Sequence, residues 1–194
     1  MTRLITLGCS WTEGLGDEQQ LGGWAGRLAK ELDVDQLINL GGAGDSNLQQ
    51  YAEFCKQDLD TDTLVIFGLS GFGRRVTQFD DVWTVRYPGI DNEEWYRVHY
   101  NEGETVLHTL NIVSLIQQRC NLYGAKHLTF MSFDKIDYIN GKYNLTDYNH
   151  MHNTIDRNCV ICDISMSDYI AGGDSKDYSV DTLFSRMASH IWKI

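Results

Sequence analysis

The sequence is short of several things at once. One proline stands among 194 residues, so Pro-rich linkers and polyproline segments are excluded. No apolar run approaches the ~20 residues that a membrane-spanning helix needs. Basic residues are outnumbered, 16 Lys and Arg against 27 Asp and Glu, for a formal net charge of −11. Such a balance excludes a sequence-independent grip on nucleic acid or on an anionic membrane, both of which need a basic surface. The five cysteines are odd in number, at 9, 55, 120, 159 and 162. The segment Met1–Gly8 is too short in apolar residues for a secretory leader. Reduced thiols in a cytoplasmic protein are the expectation. No Gly-x-Gly-x-x-Gly follows the first apolar run and no P-loop lysine exists, so no nucleotide cofactor is expected.

What is present reads as one domain. With 42% hydrophobic residues the chain is long enough to bury a core without disulfides. Leu4-Ile-Thr-Leu7, Leu37-Ile-Asn-Leu40, Leu64-Val-Ile-Phe67 and Leu128-Thr-Phe-Met131 are short apolar runs bounded by glycine or polar residues, as buried strands are. Helical periodicity fills about 23–33, 46–58 and 103–123, and Asp45-Ser46 can cap the second helix, with Gln49 at capping-box distance from Ser46. Strands alternating with helices predict a three-layer α/β/α sandwich with a mainly parallel, flavodoxin-like sheet. Ligands of such sheets bind beyond the carboxyl ends of the strands. Those ends here are Gly8-Cys9-Ser10, Gly41-Gly42-Ala43-Gly44 and Gly68-Leu69-Ser70-Gly71.

Two insertions interrupt the alternation, at about 79–100 and 134–158. The first carries Trp83, Tyr87, Trp95, Tyr96 and Tyr100; the second is rich in Asp, Asn and Tyr. A packed aromatic satellite cluster is the plainer reading of such residues, with a lid or a protein-docking surface as the functional one. Apolar residues at 180, 183, 184, 187, 191 and 194 describe a terminal amphipathic helix.

Gly8-x-Ser10-x-x-x-Gly14 after the first strand resembles block I of the SGNH or GDSL hydrolases, with Cys9 where that family carries aspartate. Ile38-Asn-Leu-Gly-Gly-Ala-Gly-Asp-Ser-Asn47 resembles block II, and Val65-Ile-Phe-Gly-Leu-Ser-Gly71 stands at block III. The literal Gly-Asp-Ser strings at 44–46 and 173–175 are not the match; the first reads as a helix cap. Most similar is a variant common in bacteriophage genomes, with Gly-x-Ser-Asn in block II and an arginine closing block III, a place filled by Arg74 or Arg75. The resemblance implies a serine ester hydrolase acting on a small ester or an acylated glycan. Ser10 would be the nucleophile, the N–H groups of Ser10 and of Gly42 or Gly44 would be oxyanion donors, and Asn47 belongs to the binding loop. Ser70 stands in for the block III asparagine.

The same resemblance exposes a gap. An Asp-x-x-His-Pro string is expected before the last helix, but the chain reads Asp174-Ser-Lys-Asp177-Tyr178-Ser179. Asp174 or Asp177 supplies a triad acid, and Tyr178 occupies the histidine's place. Tyrosine, with a reference pKa near ~10, is a poor base at neutral pH. His150 and His152 in the second insertion, or His190 on the final helix, are the substitutes to weigh, against ordinary surface histidines. Metal readings are weaker: Cys159-x-x-Cys162 lacks a second pair and reads as core thiols, so no metal is expected. Two functions follow. One is an esterase of reduced or lost activity. The other is an inactive copy of the fold serving as a structural or binding module, such as a virion decoration or tail-associated protein docked through the aromatic insertions. Carbohydrate binding by exposed tryptophans is a third, weaker reading.

Overall fold

The computed structural model describes residues 3–14, 23–71, 73–79, 82–86, 101–132, 154–156 and 159–165. In chain order these form β1 (Arg3–Leu7), α1 (Ser10–Glu13), α2 (Gly23–Glu31), β2 (Gln36–Asn39), α3 (Asn47–Cys55) and β3 (Thr63–Leu69). There follow β4 (Arg75–Phe79), β5 (Val82–Arg86), α4 (Glu102–Tyr123), β6 (Lys126–Met131) and β7 (Val160–Ser165). The four expected strands and the helices expected at about 23–33, 46–58 and 103–123 are there; the expected terminal helix, from 180 to 194, lies outside the described residues. Strand β7 is an addition: Asp163 and Ser165 break its apolar pattern, and the sequence suggested only an apolar run around two cysteines.

Five strands make one sheet in the order β2-β1-β3-β6-β7, and every neighbouring pair is parallel. A parallel sheet must be covered on both faces, and β3, at its centre, is buried at all seven positions. Alternation sends Ile5, Leu7, Val65, Phe67 and Leu69 to one face, where Phe54 of α3 and Val106, Leu110, Val113 and Ile116 of α4 cover them. Leu4, Leu64, Ile66, Leu128 and Phe130 point the other way and pack with Trp24, Ala25 and Leu28 of α2. Trp24 meets the edge of Phe130 at 5.2 Å between centroids, an attractive T-shaped contact. These are the helix–sheet–helix layers the sequence implied.

Strands β4 and β5 pair antiparallel as a separate two-stranded ribbon, with Arg75 opposite Arg86. Residues 87–100 of the first expected insertion lie outside the described residues, as does most of the second. Its described part, residues 154–156, is held to α4 by a reciprocal pair, Gln117 Nε2 to the Asp156 carbonyl at 3.2 Å and the Asp156 N–H to Gln117 Oε1 at 2.9 Å. Among the described residues, no helix is long and apolar enough to cross a membrane.

Candidate active site

The strand order fixes where a ligand would sit. From β1 the chain moves out to β2, then crosses back to β3 on the other side of β1, so the direction of winding reverses between β1 and β3. The loops that end these three strands meet at that edge. Ser10 opens α1 immediately beyond β1. The turn is tight: the N–H groups of Thr12 and Glu13 both donate to the Cys9 carbonyl, at 2.8 and 3.0 Å. Gly8 makes it possible. Its φ is +150°, and a side chain there would run into Thr12 and, at 2.8 Å, the Gly68 carbonyl oxygen. Ser10 is half-buried, and among the described residues no hydrogen bond engages its hydroxyl.

Three side-chain amides lock the strand ends together. Asn39, at the end of β2, accepts from Thr6 Oγ1 at 3.1 Å and from the Gly41 N–H at 3.0 Å, and donates to the Thr12 carbonyl at 2.7 Å. Asn47, the first residue of α3, accepts from the Ser70 N–H at 2.7 Å and donates to the Ser70 carbonyl at 3.2 Å. Gln50, fully buried on α3, accepts from the Gly8 N–H at 2.9 Å and donates to Asp45 Oδ2 at 2.5 Å. A buried amide with both ends bonded fixes its neighbours' geometry, because breaking either bond strands a polar group. Ser46 caps α3 in a full capping box with Gln49, as its Gly-Asp-Ser string suggested.

Against this frame the sequence-derived donors are differently occupied. The Gly42 N–H donates to the Gly8 carbonyl at 3.1 Å. The Ser70 hydroxyl donates its one proton to the Asp45 carbonyl at 2.9 Å and accepts from Arg74 at 2.8 Å. Arg74 also donates to the Asp45 carbonyl at 3.2 Å, so its guanidinium is pinned where the β2 and β3 loops meet. Gly44 adopts φ +83° within the same loop. Arg75 is the first residue of β4. The structure thus brings together Ser10, Gly42, Gly44, Asn47, Ser70 and Arg74. Asp174, Asp177, Tyr178, His150, His152 and His190 lie outside the described residues.

Of the described histidines, His127 sits near the start of β6, at the far edge of the sheet, and His108 lies on α4 among residues lining an outer groove. Asp45 is the titratable group at the junction, and burial pushes its carboxyl above the usual 3.8. The Gln50 hydrogen bond and the Arg74 charge pull it down, and the nearby Glu13 and Glu53 charges push it up. Asp45 and Gln50 were not singled out in the sequence beyond the cap reading. The available signal was a glutamine on the buried face of α3, in line with Asn47 and Phe54. Among the described residues no group of three or more His, Cys, Asp or Glu is gathered as a metal site.

Protein-family models give no match to this chain, and neither do curated proteins. Solved structures do. The chain aligns with the crystal structure of TesA at 13% identity, over 99% of this chain and 97% of that one, with a TM-score of 0.52. What the two chains share is the fold, helices on both faces of a parallel sheet. AlinE4, an SGNH-hydrolase family esterase, aligns at 16% identity over 100% and 96% of the two chains, TM-score 0.48. A member of the lipolytic protein G-D-S-L family from Veillonella parvula aligns at 14% identity over 100% and 98%, TM-score 0.44. At such identities the likeness is one of architecture, and activity has to be argued from the site.

Proposed function

We propose that the protein is a serine ester hydrolase of SGNH type, acting on a small ester or an acylated glycan. The observation that carries this reading is the place of Ser10: first residue of α1, just beyond the end of β1, at the switch edge, with a hydroxyl that no described residue engages. In the proposed step the Ser10 oxygen attacks the ester carbonyl carbon, the bond from that carbon to the alcohol oxygen breaks, and the alcohol leaves with the Ser10 proton; water then cleaves the acyl-enzyme to the acid and restores the Ser10 hydroxyl. The Ser10 N–H and the Gly44 loop would support the oxyanion. With the Ser70 proton held by the Asp45 carbonyl, we assign the positive charge that balances it to Arg74. Asp174 or Asp177 would be the triad acid, with Tyr178 in the histidine's place. Tyrosine is a weaker base than histidine at neutral pH, so slow turnover through Ser10 is expected.

The test is hydrolysis of p-nitrophenyl acetate by the wild-type chain and by Ser10→Ala. Slow turnover that disappears in the variant supports the enzyme. Turnover equal in the two proteins sinks it. That second result would favour an inactive SGNH-fold module, such as a virion component. This rival is supported by the internal use of the Gly42 and Ser70 donors. Stoichiometric copurification with particles is its own positive test.

A further inference from the structure

We propose that Asp45 is a positioning residue whose carboxylate, acting through the Gln50 amide, orients the Gly8–Ser10 turn. The inference rests on the reading of Ser10 as a nucleophile, but its geometry is separate. Three groups stand in line. The Gly8 N–H can only donate, and the ionised Asp45 carboxylate can only accept. Between them Gln50 presents its oxygen to Gly8, at 2.9 Å, and its nitrogen to Asp45 Oδ2, at 2.5 Å. Only one orientation of the amide satisfies both ends. A protonated Asp45 can donate as well as accept, so it would also tolerate the flipped amide, which sets one donor against the Gly8 N–H.

Asp45 has further holds on the same edge. Its N–H donates to the Gly42 carbonyl at 3.1 Å, and its carbonyl accepts from Ser70 and Arg74. A side chain at Gly42 would collide with the Asp45 carboxylate, so the two segments are in direct contact. Gly8 in turn accepts from the Gly42 N–H. Asp45 therefore reaches the nucleophile turn on both sides of Gly8, by its carboxylate through Gln50 to the Gly8 N–H and by its backbone N–H through Gly42 to the Gly8 carbonyl. The charged groups around it are Glu13 of α1, Glu53 of α3 and Arg74 beyond β3.

The experiment follows the Gly8 amide resonance of ¹⁵N-labelled protein from about pH 3 to about pH 8, a range spanning carboxylate titration. The wild-type amide is expected to shift in one step with a midpoint above the ordinary 3.8 of a carboxyl. Asp45→Asn is expected to remove that step, which assigns it to Asp45 and not to Glu13 or Glu53. Fluorophosphonate labelling of Ser10 is expected to slow about ten-fold or more in Asp45→Asn, while Asp60→Asn, at the far edge, labels at the wild-type rate. A Gly8 amide that does not titrate, or titrates unchanged in Asp45→Asn, overturns the proposal, as does equal labelling in a protein whose Ser10 reacts. If Ser10 never labels, the hydrolase reading fails and the Gly8 titration alone decides the relay.

Discussion

Two aspartates at opposite edges of the sheet are held in opposite ways. At the amino edge, Asp60 pairs with Arg3 at 3.0 Å, and its other oxygen accepts from Thr63 Oγ1 at 2.6 Å. The Thr63 hydrogen bond, above all, holds its exposed carboxyl below the usual range against the opposing effect of desolvation, with the Arg3 charge and the Asp62 N–H assisting. At the carboxyl edge, burial raises Asp45. The first arrangement favours the charged form in the folded state and ties two strand starts together. The second makes the charge costly, and nothing in the packing of the core requires it.

Substitutions should separate the two edges, most strongly at the turn itself. Gly8→Ala adds a methyl group that meets the Gly68 carbonyl, at a φ of +150°. A loss of about 3 kcal/mol is expected in urea unfolding. Gln50→Ala leaves the buried Gly8 N–H without an acceptor, for a loss of about 2 kcal/mol by the same measurement. Arg3→Ala at the amino edge breaks a partly exposed pair, and a loss of under ~1 kcal/mol is expected. If Arg3→Ala matched Gln50→Ala, the contrast between the edges would be void.

Acid sharpens the same comparison through its sign. Asp60 is depressed in the folded state, so its contribution is present above the unfolded value near 3.8 and is lost as pH falls through its folded value. Asp60→Asn should therefore flatten the acid limb of a stability–pH curve. Asp45 is raised, so its contribution is present below 3.8 and is lost as pH rises through its folded value. Asp45→Asn should leave stability at neutral pH equal or slightly higher. His127, lowered by burial despite the nearby Asp156 charge, favours its neutral form; stability it supports above about 6.5 declines as pH falls through its folded value. Replacing it by Gln should remove that smaller step in thermal unfolding followed across mildly acid pH.

The strands and helices were legible because each is short, periodic and punctuated: Leu64 to Phe67 between threonine and glycine, and Ser46 with Gln49 behind it. The edge that gathers Ser10, Gly42 and Ser70 followed from alternation alone. Which donors stay available there was not legible, because that depends on where a single proton points. Ser70 looks like a donor in sequence and spends its proton on Asp45. The Asp45–Gln50–Gly8 line spans 42 positions between Gly8 and Gln50, and no local pattern reports a contact of that range. Strand β7 was hidden for another reason: Asp163 and Ser165 interrupt the apolar run that would have marked it.

Everything functional here turns on whether the Ser10 hydroxyl reacts. Treat the wild-type chain and Ser10→Ala with a fluorophosphonate, and map the adduct by peptide mass spectrometry. A single phosphonyl adduct on the peptide containing Ser10, absent from the variant, is the expected result. No adduct on that peptide, in a chain whose unfolding shows it to be native, would contradict the assignment of Ser10 as a nucleophile.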